Sequence, residues 1–151
     1  MQVKVEQGNV ESIEIIIRCA EQDESVLKIL ALLQSENDKI CVWSQMREIV
    51  FLAPSEICYA ESVDQRIFVY TEDAVFQTAL PLGQLAESYE NAGYCRCAKS
   101  MVVNLHHIRK LQCLQNGRIE ATLQNGERVM ISRHYAPEMK EKLGLSGRRF
   151  L

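Results

Sequence analysis

The side chains best suited to chemistry are polar and cationic and fall late in the chain: Arg96, Lys99, Ser100, Asn104, His106, His107, Arg109, Lys110, Arg133 and His134. Guanidinium and ammonium groups neutralise phosphates, serine and asparagine make directional contacts to phosphate or base edges, and arginine matches guanine bidentately. The ligand that suits such a set is a polyanion. Charge distribution agrees, although the 151 residues together carry −3. Residues 1–60 hold five Lys/Arg against ten Asp/Glu and residues 61–94 one against six, a balance of −5 in each. Residues 95–151 hold eleven against four, a balance of +7. A basic third on an acidic body points to an anionic partner such as nucleic acid, or to an acidic protein surface.

Other chemistry finds little support. There is no glycine-rich phosphate loop, no H-E-x-x-H and no Gly-x-Ser-x-Gly, so no enzyme is expected and no cofactor or small-molecule substrate is implied. Asp23-Glu24 and Glu72-Asp73 fall where a helix start and a turn explain them. Six cysteines form an even set, but with no export signal the expected compartment is the cytoplasm and the expected state is the thiol. No pair has the two-residue gap that zinc favours, so no metal is expected. Cys97, flanked by Arg96 and Lys99, has neighbours that lower a thiol pKa, and a redox-sensing role is an open alternative there. An apolar share of 47% with 25% charged residues is ordinary for a globular domain, and no run is long enough for a membrane helix.

The elements that must position these residues are mostly short strands. Ile13–Cys19 is β-branched and reads as a strand. Asp23 is placed to cap a helix reaching about Ser35, with Val26, Ile29, Leu30 and Leu33 as its buried stripe. Leu27, Ala31 and Leu32 are apolar too, so this helix needs covering on two sides, the second by another subunit. Ile40–Trp43, Ile49–Leu52, Ile57–Glu61, Arg66–Thr71 and Val75–Ala79 follow as strands separated by turns. A helix is expected over Pro81–Tyr89, ended by Asn91-Ala92-Gly93. Asn116-Gly117 and Asn125-Gly126 predict two type I′ hairpins bounding a half-buried strand, a meander over residues 109–132. A short helix over Tyr135–Leu143 closes the chain.

In order and spacing these blocks resemble the LytTR DNA-binding domain. Its signature near F-x-R-x-H-R-S-x-(I/V)-V-N is matched by Tyr94-Cys95-Arg96-Cys97-Ala98-Lys99-Ser100-Met101-Val102-Val103-Asn104, and its V-S-R-x-Y by Ile131-Ser132-Arg133-His134-Tyr135. Ile57 to Ser62 matches the strand ending in Glu-Ser. Two positions depart from the pattern. Ala98 stands where many members have His, and Lys99 where many have Arg, which removes one contact and turns a fork into a point charge.

The resemblance implies an α+β, mostly β fold: an elongated arrangement of short antiparallel strands with a C-terminal meander, plus a small N-terminal strand–helix leader. The leader covers residues 1–45 and is a possible dimerisation element; the DNA-binding domain covers 46–147. With about 45 residues before the match, against the ~100 or more of a doubly wound domain, no receiver domain is expected. The implied function is a sequence-specific transcriptional regulator whose loops read major grooves of double-stranded DNA, as a homodimer. By position Gln65 or Arg66, Lys99 and Arg133 approach bases, and Ser100, Asn104 and Ser132 lie near the backbone, with Asn104 equally suited to bracing the turn after Val103. The alternatives are a protein-interaction module docking an acidic partner through the basic third, and the thiol sensor at Cys97.

Overall fold

The computed structural model describes residues 1–34 and 39–145. The expected helix end at Ser35 and domain end at residue 147 lie outside them.

Asp23 begins the first helix by accepting the Val26 amide at 3.2 Å, and α1 runs Glu24–Gln34. Its most buried side chain is Leu27, at 2% exposure, while Val26, Ile29 and Leu30 are half-buried and Leu33 is exposed. The expected stripe is thus rotated by part of a turn, because α1 packs on the first strand, β1 (Ile40–Trp43).

Eleven further elements follow: β2 (Ile49–Leu52), β3 (Tyr59–Val63), β4 (Arg66–Tyr70), β5 (Val75–Thr78), α2 (Leu82–Ser88), β6 (Tyr94–Ala98), β7 (Met101–Asn104), β8 (Ile108–Cys113), β9 (Ile119–Leu123), β10 (Arg128–Ile131) and α3 (Ala136–Lys142). Seven strands form one antiparallel sheet in the order β2-β1-β5-β4-β3-β7-β6, and three form a second in the order β10-β9-β8. The fold is mostly antiparallel β with three helices, as the resemblance implied. β1 is paired on both sides in the large sheet, although it precedes residue 46.

Two cores share that sheet. Ile40, Val42, Leu52, Ala60, Val69 and Val102 meet α2 on one face. Cys95, Cys97 and Val103 meet β9, β10 and α3 on the other. Both faces of β7 are therefore covered, which is why Met101-Val102-Val103 is an unbroken apolar run.

Three local expectations are corrected. Residues 1–23 contain no strand, because an isolated β-branched segment leaves its backbone amides unpaired. The strand of the Glu-Ser block runs from Tyr59, after a 3-10 turn at Pro54–Glu56, although Cys58 already donates to Tyr70 O and accepts from the Asn104 amide. The turn at Asn125-Gly126 is not type I′. Gly126 alone has a positive φ (90°), its amide donating to Leu123 O, whereas Asn116 and Gly117 both do (65° and 76°). Among the described residues no helix is long and apolar enough to cross a membrane.

Candidate nucleic-acid interface

Three tips meet at one end of the molecule. The first is the β3–β4 hairpin, where Val63 pairs with Arg66 and only Asp64 and Gln65 form the turn, at φ 51° and 66°. The second is the β6–β7 turn at Lys99-Ser100. Strands β3 and β7 are partners, Glu61 opposite Met101, and the Ser62 amide donates to Ser100 O at 2.9 Å, so these two tips are neighbours. The third is the turn after β10. Ser132 N donates to Cys97 O at 2.8 Å, which docks the turn against β6 two residues before Lys99.

Gln65, Arg66, Lys99, Ser100 and Arg133 are exposed at this end, and Ser132 is half-buried. Ser132 O accepts the amides of Tyr135 and Ala136, opening α3 and fixing where Arg133 leaves the chain. The Arg133 stem lies across Gly117, whose missing Cβ would stand 3.0 Å from Arg133 Cγ. A larger residue there would push the guanidinium away. Ile131 pairs with Ile119, so the exposed Arg118 beside that turn belongs to the same end.

Arg96 shapes the second tip. Its Nε donates to Ala98 O at 3.1 Å and its Nη2 to Lys99 O, so one side chain ties down the carbonyls around Lys99. Neither this bracing role nor the placement of Arg118 has a mark in the sequence. Both depend on which loops the sheets bring together.

The Glu61 carboxylate, on β3 behind the first tip, is already engaged. Glu61 accepts the Tyr70 hydroxyl at 2.6 Å, and Tyr70 stacks on Tyr59 with ring centroids 4.3 Å apart. Burial, then this hydrogen bond, push the Tyr70 hydroxyl up to about 12, so it stays a donor that screens the Glu61 charge.

Asn104 is corrected out of the contact set. It is 1% exposed, its Nδ2 donates to Ile57 O at 3.0 Å and Pro54 O at 3.4 Å, and its Oδ1 accepts the His106 amide. Every polar atom of the side chain is used inside the fold, so it braces the turn. Gly93, at φ 100°, leaves it room: a Cβ there would lie 2.9 Å from Asn104 Oδ1 and 2.5 Å from the His106 ring.

His107 joins the same junction. Its Nε2 donates to Ser55 O at 2.6 Å, leaving Nδ1 to face Cys58 Sγ at 3.5 Å. The thiol-sensor expectation at Cys97 also fails on geometry. Cys97 is fully buried, and burial pushes its thiol up to about 12 against the smaller pull of Arg96. A buried, protonated thiol is a poor nucleophile.

Comparison with known proteins points the same way. Residues 47–144 match the LytTr DNA-binding domain family. The chain is 28% identical over 103 residues to the sensory transduction protein LytT of Enterococcus faecalis, covering 68% of this chain and 43% of that protein. It is 40% identical over 50 residues to the transcriptional regulatory protein BtsR of Escherichia coli, covering 33% and 21%. Against an uncharacterized response regulatory protein of Vibrio cholerae the identity is 33% over 99 residues, covering 66% and 40%. The chain thus spans about two fifths of the length of the LytT and Vibrio relatives. A solved LytTr DNA-binding domain from Bacillus cereus superposes with a TM-score of 0.67 at 22% identity, over 72% of this chain and 98% of that one. That likeness is one of fold.

Proposed function

This chain belongs to the LytTR DNA-binding domain family, and from that premise we propose that it is a cytoplasmic transcriptional regulator that binds double-stranded DNA sequence-specifically as a homodimer. The reading is of a binding protein, with no catalytic step. The observation that carries it is the gathering of Gln65, Arg66, Lys99, Ser100 and Arg133 on three adjacent tips at one end of the molecule.

The tips divide the labour by chemistry. Arg133 has a planar fork suited to guanine O6 and N7, and its stem is held against Gly117. Lys99 is a point charge on a turn whose carbonyls Arg96 holds, which suits a phosphate better than a base edge. Gln65 or Arg66 enters from the neighbouring hairpin, and Ser100 and Ser132 donate hydroxyl contacts near the backbone. The major groove is the wider of the two and carries a distinct pattern for each base pair, which makes it the groove in which these loops read sequence.

The test is a mobility-shift titration on DNA upstream of the protein's own coding region, with unrelated DNA as competitor. Arg133→Ala should lose the preference for the specific fragment, about 1–3 kcal/mol of discrimination, while keeping weak binding to both. Lys99→Ala should weaken both about equally. Equal affinity of the unmodified protein for specific and unrelated DNA would overturn the reading, and an Arg133→Ala variant with full preference would remove that residue from it.

A further inference from the structure

Residues 13–19, Ile-Glu-Ile-Ile-Ile-Arg-Cys, have the composition of a strand and belong to none. Ile13 is 93% exposed, Ile15 63% and Ile16 75%. Elsewhere in the same chain an edge is open. β2 ends the large sheet, and among the described residues no strand pairs with its outer side. Exposed edges are normally blunted by proline or charge, and Ile49-Val50-Phe51-Leu52 carries neither.

The hairpin fixes which groups that edge offers. Ser44 N donates to Glu48 O, so 44/48 is a hydrogen-bonded pair, and alternation makes 42/50 and 40/52 the same. The amides and carbonyls of Ile49 and Phe51 therefore point outward. Their side chains lie on the sheet face of Cys41 and Trp43, opposite Val50 and Leu52, which go into the α2 core. Phe51 is 43% exposed on that face, and Leu33 of α1 is 39% exposed.

One antiparallel register satisfies both sides. With Ile15 opposite Phe51, Ile17 falls opposite Ile49, and these two pairs take the open amides and carbonyls. Ile16 then meets Val50 on the other face, and Arg18 meets Glu48, opposite charges across the ladder. A one-residue slip would set Glu14 against Phe51 and Ile17 against Glu48, charge on apolar surface twice over.

We infer that residues 13–19 of one copy pair with the β2 edge of a second copy, reciprocally, closing a two-fold dimer. Segment and edge are both present in one chain and are unpaired with each other in it, so two copies can each supply what the other lacks. A reciprocal exchange closes two edges at once and buries both apolar segments. The inference rests on the dimer proposed above and assigns the element that makes it.

The experiment uses the full chain with Cys19→Ser and Cys113→Ser, which removes the two exposed thiols. One protein then carries Ile16→Cys and another Val50→Cys. These positions fall opposite as a non-hydrogen-bonded pair, with Cα atoms about 4.5 Å apart, within disulfide reach. Oxidation of the mixture should give a species of twice the chain mass that reduction dissolves. Light scattering of the unmodified chain at micromolar concentration should give twice the chain mass, and Ile15→Lys should halve it with an unchanged circular dichroism spectrum. A dimer by scattering without the 16–50 crosslink overturns this pairing and leaves a dimer standing. A monomer at concentrations that bind DNA overturns both. A disulfide formed only within a chain carrying both cysteines, at monomer mass, places the segment on its own sheet and overturns the exchange.

Discussion

At Asn104 two distant segments are tied together by one amide: Pro54 and Ile57 of one loop supply carbonyls, and His106 of the other supplies an N–H. Asn104→Ala would take from Ile57 O and the His106 amide the partner that Asn104 supplies, while Pro54 O keeps the Tyr94 hydroxyl, at a cost of about 1–3 kcal/mol, so the melting temperature should drop by several degrees. Under conditions where the variant is folded its DNA affinity should match that of the unmodified protein. A stable variant with weakened binding would return Asn104 to the contact set. The cysteines test burial in the same way. Native protein treated with iodoacetamide at neutral pH should be modified at Cys19 and Cys113 and spared at Cys41, Cys58, Cys95 and Cys97, as peptide mapping would report. Cys58 and Cys97 are pushed up to about 11 and about 12 from an ordinary 9, first by burial. The folded state therefore holds those protons more tightly than the unfolded chain does. Stability should be insensitive to these thiols below pH about 9 and should fall as pH rises from there toward their folded values. Urea titrations at pH 7.5 and 10.5 would measure the difference.

The elements matter as carriers of short tips. β6 and β7 are joined by a turn of two exposed residues, and a flexible turn would offer Lys99 over a wide range of directions. Arg96 prevents this by holding the carbonyls of Ala98 and Lys99. Arg96→Met keeps the stem and removes the donors. The melting temperature should change little, since Arg96 is only half-buried, while DNA affinity should fall by about tenfold as the turn is ordered only on binding. Unchanged affinity would make the turn rigid without Arg96. The hairpins also show what local sequence can convey. Asn116-Gly117 turns as its residue types require, and the alternation of Ile119, Ala121 and Leu123 with Glu120 and Thr122 marks one buried face of β9, although Thr122 on the other face is buried as well. The strand expected at Ile13–Cys19 has the same local credentials and no partner, because strand formation needs a second strand that composition does not specify.

For the whole molecule the distribution of charge outweighs its sum. A chain of net charge −3 can approach DNA because the acidic residues fall mainly in the first 94 positions and the basic tips share one end. If Arg66, Lys99 and Arg118 meet phosphates in each of two subunits, binding to specific DNA should weaken with a log–log salt slope of about −5. Lys99→Ala should make that slope shallower by about two. A slope near −2 would mean that most of these cations stay clear of the duplex. The end at which they meet was only partly legible beforehand. Residue type and order marked Lys99, Ser100, Ser132 and Arg133, while nothing local marked Arg118, or Arg96 as a brace, or decided between the two roles open to Asn104. What the sequence by itself determined is the class of most elements after residue 23, the basic third and the ordered blocks of the LytTR family, because periodicity, turn chemistry and charge are properties of neighbours along the chain. Only the tertiary structure decided that three loops from distant positions share one end, that Asn104 and Cys97 face inward and that residues 13–19 stand unpaired. Those outcomes depend on which strands pair across the two sheets, and pairing is settled by contacts between residues far apart in the chain.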